Sequence, residues 1–530
     1  MRFLPIWTLL VALALAAFLG SPPLLDADEG RNAEVAREMA ATNDYVMPRL
    51  DGLPYLDKPI VYFAAEAAAM EILGPTELAA RLPAYLFTLA TAALIFFFAK
   101  RVMSADAAWI AVIAFLSMPL TIAFARTVIF DSALTFFITG ATIAFYFAIE
   151  SRERRWSVLA WAAIGLGVIT KGPVAIVLPL FVAIPYAIKR KAFRALWSWW
   201  GLVAFIAIIA PWVWAVSQVV PEFLRYVLVT ETAERMATKA LKRTGPPWYF
   251  IPYLLGGALP WSLVAIFSWK EIRRRNTVVI FLVLWVTIPF LFFSISQSKR
   301  PQYILPLMVP VALLVARVWE DARTRVTAII LTILGAIFAV APFLPAFRKM
   351  KPVLHDAAEQ TAIGLAIAFL IGGIVALFAK RKEIAFAALT IPMIAIPIAA
   401  NPLLHALGER RSTRSFVAQL APRLTANTRI VGIEAFTGSL AFYLQRPIVV
   451  VTEDASELTS NYLMRRYEKF TSDPKSPLKP IAWLANDLDQ NREPTIYIVR
   501  NDDAARRALL EARGMRKIAE GAHHVAYARI

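Results

Sequence analysis

The chain has 530 residues, 59% of them hydrophobic, a net charge of +18 and a mean hydropathy of +0.58. Apolar runs of about 18 or more residues recur along most of its length, which excludes a soluble protein of this size. The runs do not alternate polar and apolar residues, so they are not barrel strands. Backbone in lipid must then satisfy its own hydrogen bonds as helices.

The expected class is an α-helical polytopic membrane protein. About thirteen spans are expected, at roughly 4–20, 78–99, 106–122, 130–149, 156–170, 173–188, 197–217, 248–268, 277–295, 302–318, 326–345, 361–379 and 384–400. One set of alternate loops carries the cations: Lys100 and Arg101; Arg152, Arg154 and Arg155; Lys189, Arg190, Lys191 and Arg194; Lys270 and Arg273 to Arg275; Arg323 and Arg325; Lys380 to Lys382. Positive loops stay cytoplasmic, so the basic balance marks topology, and no nucleic-acid partner is expected. The N-terminus is then inside. Residues 21–77, the loop 219–247 and everything after about 401 face out. The first segment, with Arg2 before an apolar core and small residues near Gly20, also has the form of a signal peptide. A retained first helix fits the loop alternation. There are no cysteines, hence no disulfide framework and no thiolate metal site.

Two domains are expected. Residues 1–407 form a transmembrane domain with outer juxtamembrane helices (21–77) and an outer loop (219–247), which has the composition of a mobile lid. Residues 408–530 form a small extracytoplasmic α/β domain. Its short apolar runs are RIVGI (429–433), PIVVVT (447–452), PIAWLA (480–485), TIYIVR (495–500) and HVAYARI (524–530). Polar helical stretches such as DDAARRALLEARG separate them.

The chemistry lies on the outer side. Asp28, Glu29 and Arg31 fall within one helical turn, which puts Asp28 and Arg31 on one face. Acids at a helix start also offset the macrodipole, and that plainer account covers Asp28 and Glu29. Asp131 opens an apolar helix five residues after Arg126. An ionisable group at membrane depth is costly and usually functional; a buried Asp131–Arg126 pair or a helix cap is the plainer alternative. Lys171 stands alone between two apolar spans, either snorkelling or contacting an anion. Lys58 in YLDKP, and Lys299 and Arg300 in SKRPQY, add cations at outer span ends. Arg31 and these cations suggest a phosphate ligand. Two carboxylates beside them, at the outer leaflet, suggest group transfer from a lipid phosphate. Tyr55 and Tyr303 neighbour the cations, as interfacial belt residues or as phosphate donors. The four histidines show no metal-ligand spacing.

The motifs DADEGRNAEVAREM, PRLDGLPYLDKP, ARTVIFDSALTFF, ITKGPVA and SKRPQYILPL, in this order, resemble a known family. It is the polyprenyl-phosphate-sugar-dependent glycosyltransferases, the group of the bacterial lipid A aminoarabinose transferase and the protein O-mannosyltransferases. The resemblance implies a GT-C-like fold in the bacterial inner membrane with the C-terminal domain periplasmic. It implies a polyprenyl (undecaprenyl) phosphate sugar as donor and a lipid A, glycan or protein acceptor, with transfer by inversion. It makes Asp28 and Asp131 the catalytic candidates and Arg31, Tyr55, Lys58, Lys171 and Tyr303 the donor-phosphate contacts. Glu29, Asp57, Arg126, Lys299 and Arg300 support them. Asp57 stands where the aminoarabinose transferase has a glutamate that contacts a metal ion. That metal also uses a histidine of the large outer loop, and 219–247 contains none. No cofactor is therefore expected, with a bound divalent metal as the lesser alternative. The rival class is a transporter or flippase of lipid-linked sugars, which calls for repeat symmetry and midplane charges; the chain shows neither.

Overall fold

The computed structural model describes residues 3–227, 245–272 and 277–529. Most of the 219–247 loop, and Arg273 to Arg275, lie outside the described residues. The chain divides into two compact units: Met1–Leu19 with Arg81–Leu403, and Gly20–Ala80 with Leu404–Ile530.

The first unit is helical. Among the described residues, eight helices are long and apolar enough to cross a membrane, or nine if the pair Phe250–Gly257 and Trp261–Phe267, bent by 100°, is one span. Three shorter apolar helices follow at Leu4–Ala16, Ala105–Leu116 and Val174–Lys189. Each expected apolar run falls on a helix, but fewer than thirteen helices meet the length and hydropathy of a full span. The shortfall has local causes. Prolines break the run at 248–268, and Arg154, Arg155 and Lys171 sit within the helix Arg154–Lys171. The core of the unit is aromatic: Trp261, Trp285, Trp319, Tyr186 and Phe98 are almost wholly buried. The opposite faces are apolar and bare. Trp199 is 83% exposed and Trp214 68%. Such surface is untenable in water and marks a lipid-facing helix. At one end of the bundle Arg190 grips Glu150 bidentately at 2.8 and 2.9 Å.

The second unit is α/β. A two-residue hairpin, β1 (Arg49–Leu50) and β2 (Leu53–Pro54), follows the helix Asp28–Thr42. The main sheet has strands β3 (Arg429–Ile433), β4 (Val449–Thr452), β5 (Leu478–Pro480), β6 (Thr495–Arg500), β7 (Arg516–Glu520) and β8 (His524–Ala528). Their order is β5-β4-β3-β6-β8-β7. The first four are parallel, and β8 runs antiparallel to both β6 and β7. Val431, Val451, Tyr497, Val499, Leu484 and Leu510 share its core.

Two sequence expectations change here. PIAWLA is mostly helix, Ile481–Gln490, rather than strand. Leu484 and Leu488 recur at helical spacing and are buried, and this period outweighs the short apolar run. The juxtamembrane stretch expected with the spans groups instead with the C-terminal sheet. Buried carboxylates explain why. Asp26 accepts the Ser439 backbone N–H at 2.9 Å, and Asp51 accepts that of Ile448 at 2.9 Å. Asp57 accepts those of Asn461 and Tyr462 at 2.8 and 3.2 Å. Backbones also close tightly. A Cβ on Gly438 would lie 2.1 Å from the Arg31 nitrogen, and one on Gly30 2.4 Å from that of Ser439. Only glycine fits at either point.

Glu66, on the helix Val61–Leu73, is wholly buried, and neither carboxylate oxygen has a hydrogen-bond partner among the described residues. Burial, then the charge of Glu29, pushes its carboxyl well above the ordinary 4.5. The folded state therefore keeps a proton that the unfolded state loses first. Stability should fall as pH rises above 4.5, until the folded group also ionises. In Glu66→Gln that fall should be reduced, because the amide does not titrate. Unfolding midpoints of both proteins across pH 4.5–8 check this; parallel curves would contradict it.

Candidate active site

The helix Asp28–Thr42 begins at the acid cluster. The expected face is present: Arg31 Nη2 donates to Asp28 Oδ1 at 2.7 Å. Arg31 Nη1 donates to Thr459 Oγ1 at 2.6 Å and to its carbonyl at 3.2 Å. The guanidinium lies 5.8 Å from the centre of the Tyr55 ring. Burial works against the Arg31 charge, but Tyr55, Asp28 and Asp57 outweigh it, and its pKa is raised. The cation is thus held by four groups, and Asp28 stays 43% exposed. Glu29 is buried and its Oε2 accepts the Leu25 backbone N–H at 3.1 Å. This is the macrodipole role at a helix start. Tyr55 is buried against Phe63. Lys58 Nζ donates to the Asp57 carbonyl at 2.9 Å. Asp28, Arg31, Tyr55, Asp57 and Lys58 all belong to the second unit.

Asp131, Lys171 and Tyr303 belong to the first. Asp131 opens the helix Asp131–Ser151, and Lys171 ends the helix Arg154–Lys171. Lys171 Nζ meets Asp131 Oδ1 at 2.5 Å, with side chains 17% and 6% exposed. The same ammonium lies 5.2 Å from the centre of the Tyr303 ring. The partner considered from sequence, Arg126, instead donates to the Leu15 carbonyl at 2.6 Å. Lys299 is buried. Its Nζ donates to the Ser294 carbonyl at 2.6 Å, at the end of the helix Thr277–Ile295. That is a helix C-terminal contact for a cation. Arg300 accepts through its carbonyl from Tyr303 N at 3.1 Å.

Sequence reasoning missed Thr459, which orients Arg31, and the buried acids Glu34 and Glu66. Glu34 forms a bidentate pair with Arg37 at 2.7 Å, yet burial pushes its carboxyl up to about 8. The i,i+3 spacing of Glu34 and Arg37 was a usable signal. Thr459 lies more than four hundred residues from Arg31 and had none.

Each Asp57 oxygen accepts a backbone N–H, and no cluster of three His, Asp or Glu ligands occurs among the described residues.

The family described as dolichyl-phosphate-mannose-protein mannosyltransferase matches residues 57–214. That stretch holds Asp57, Lys58, Arg126, Asp131 and Lys171. The undecaprenyl phosphate-alpha-4-amino-4-deoxy-L-arabinose arabinosyl transferase 2 of Proteus mirabilis (strain HI4320) is 28% identical over 466 residues, 83% of each chain. The transferase 1 of that name from Pseudomonas fluorescens is 28% identical over 513 residues, 93% of this chain and 92% of its own. The crystal structure of ArnT from Cupriavidus metallidurans bound to undecaprenyl phosphate matches with a TM-score of 0.88 at 26% identity. The match covers 100% of this chain and 98% of that one.

The chain resembles polyprenyl-phosphate-sugar glycosyltransferases along its whole length. The resemblance carried by the five motifs is borne out, and with it the GT-C-like fold of a multi-pass membrane protein. The likeness embraces both units, so it extends to the α/β sheet as well as to the helices.

Proposed function

We propose that this chain is a membrane glycosyltransferase that moves a sugar from polyprenyl (undecaprenyl) phosphate to a lipid A, glycan or protein acceptor, at the outer face of the cytoplasmic membrane. The observation that carries the reading is the full-length match to ArnT bound to undecaprenyl phosphate.

An acceptor hydroxyl oxygen attacks the anomeric carbon of the donor sugar. The bond from that carbon to the phosphate oxygen breaks, and the phosphate leaves with the electron pair. A single in-line displacement inverts the anomeric centre. Asp28 takes the hydroxyl proton as general base, or positions the acceptor where the attacking group is itself a phosphate; its partial exposure and its fixed contact with Arg31 suit either role. Arg31, near the Tyr55 ring, and Lys58 stabilise the charge growing on the phosphate, and the motif resemblance assigns Lys171, near the Tyr303 ring, to the same role. Asp131 holds Lys171 in place. No metal takes part in this scheme.

The test is transfer by the full chain in detergent, with EDTA present, from a polyprenyl-phosphate sugar and from a nucleotide sugar. Transfer from the first alone is expected. Robust transfer from the nucleotide sugar would overturn the donor assignment, and complete loss on chelation would overturn the metal-free scheme. Movement of the lipid-linked sugar across vesicles without any transfer would favour a flippase.

The topology belongs to the same proposal. All thirteen apolar runs cross the membrane, the N-terminus is cytoplasmic and the residues after about 401 are periplasmic. Reporter fusions after residues 195 and 275 should read cytoplasmic, and those after residue 240 and at the C-terminus external. An internal C-terminus would break the scheme.

A further inference from the structure

Two basic loops, residues 150–155 and 189–194, meet at one end of the helical unit. Together they carry seven cations and two acids. Both acids are engaged: Glu150 holds Arg190, and Glu153 pairs with Arg155. Arg152 ties the loops together, donating to the Arg190 and Lys191 carbonyls at 3.1 and 3.3 Å. A pocket of about 430 Å³ opens beside this join, within the range of about 300–1,000 Å³ typical of small-ligand sites. Arg152, Arg154 and Arg194 stand on its wall, with Glu153 the one acid among its lining residues. The positive-inside rule accounts for cations in each loop, but not for their gathering around a pocket.

The charges call for an anion. Arg154 and Arg194 are exposed, and neither side chain has a hydrogen bond or ion pair among the described residues. Arg154 and Arg155 also open the helix Arg154–Lys171, where the macrodipole disfavours cations, and no acid stands in its first turn. A bound anion offsets this repulsion, and the guanidinium fork matches phosphate oxygens.

The rim shows what carries the phosphate. Trp197, Trp199 and Trp200 line the pocket and are 62%, 83% and 70% exposed. Tryptophans so placed at the end of an apolar helix mark the boundary between water and lipid. From Trp199 the helix Trp199–Val219 leads away, with Val203 and Ile206 53% and 51% exposed. An apolar face therefore continues directly from the arginine pocket. Acyl chains fit that face, and a soluble phosphate leaves it bare. Basic pockets against membrane helices are suited to anionic lipid headgroups.

We propose that this pocket binds the phosphate headgroup of an anionic phospholipid, whose acyl chains lie along the helix Trp199–Val219. On the topology proposed above, that lipid belongs to the cytoplasmic leaflet and is not the sugar donor.

The test uses the full chain in detergent, native mass spectrometry, and dioleoyl phosphatidylglycerol as the probe. Discrete binding is expected, and Arg154→Gln with Arg194→Gln should weaken it about tenfold or more. Lys380→Gln with Arg381→Gln removes equal charge from another basic loop and should leave binding within about twofold. Without added lipid, the unfolding midpoint of the arginine double variant should stay that of the native chain, because both side chains are exposed. Dioleoyl phosphatidylcholine has a zwitterionic headgroup and glycerol phosphate has no acyl chains. Each should bind about tenfold more weakly or worse. Binding that survives the arginine substitutions, or falls as far in the lysine–arginine control, overturns the site. Equal binding of phosphatidylcholine overturns the role of charge, and equal binding of glycerol phosphate overturns the lipid as its source. An external reading from the fusion after residue 195 would overturn the leaflet and the topology, while the binding comparison still decides the site.

Discussion

Asp28→Asn is expected to lower the transfer rate about 10²–10⁴-fold, the usual contribution of a positioned acid or base, while the protein stays folded in the membrane. The substitution keeps the size of the side chain and an oxygen that can still accept from Arg31. It removes only the ability to take a proton. Arg31 remains tied to Thr459 and stacked near Tyr55, so the local geometry should survive. The competing account makes Asp28 a helix-start acid, which would cost about 1 kcal/mol of local stability and little activity. Transfer rates and unfolding midpoints, measured together, separate the two. Near-native activity with a lowered midpoint would remove Asp28 from the chemistry.

The Asp131–Lys171 pair carries the second large effect. Both groups are largely buried and meet at 2.5 Å. Removing one partner of such a pair leaves an uncompensated charge, at a cost of about 3–5 kcal/mol. Asp131→Asn and Lys171→Ala should therefore each reduce stability and reduce transfer at least a hundredfold, as expected when one donor to a developing anion is lost. The double variant Asp131→Asn with Lys171→Met discriminates. It removes both charges, so stability should recover. Activity should not, because the phosphate still lacks its cation. Recovery of both would make the pair a structural ion pair with no part in the reaction.

The two variants also show how far local reading reaches. Asp28 and Arg31 are three residues apart on one helix, and helical geometry alone predicts their contact. Asp131 and Lys171 are forty residues apart. Both were legible as costly charges at membrane depth, but the natural partner from spacing was Arg126, and that side chain turns to the Leu15 carbonyl. Lys299 was legible as a cation in an unexpected place; its job at a helix end was not, since that depends on where the helix stops.

Composition and periodicity determined the class, the approximate position of every apolar run, four of the five expected strand runs and the residue types of the site. These properties are local: hydropathy is summed over a window, and side-chain alternation or helical recurrence is visible within ten residues. Tertiary structure decided the rest. It joined the juxtamembrane stretch to the C-terminal sheet through Asp26, Asp51 and Asp57, carboxylates that read as surface charge until their backbone partners, some four hundred residues away, are known. It turned PIAWLA into a helix, added β7, and brought Arg154 and Arg194 to the wall of one pocket. Buried polar groups must find partners wherever the fold brings them, and no local window records which partner arrives.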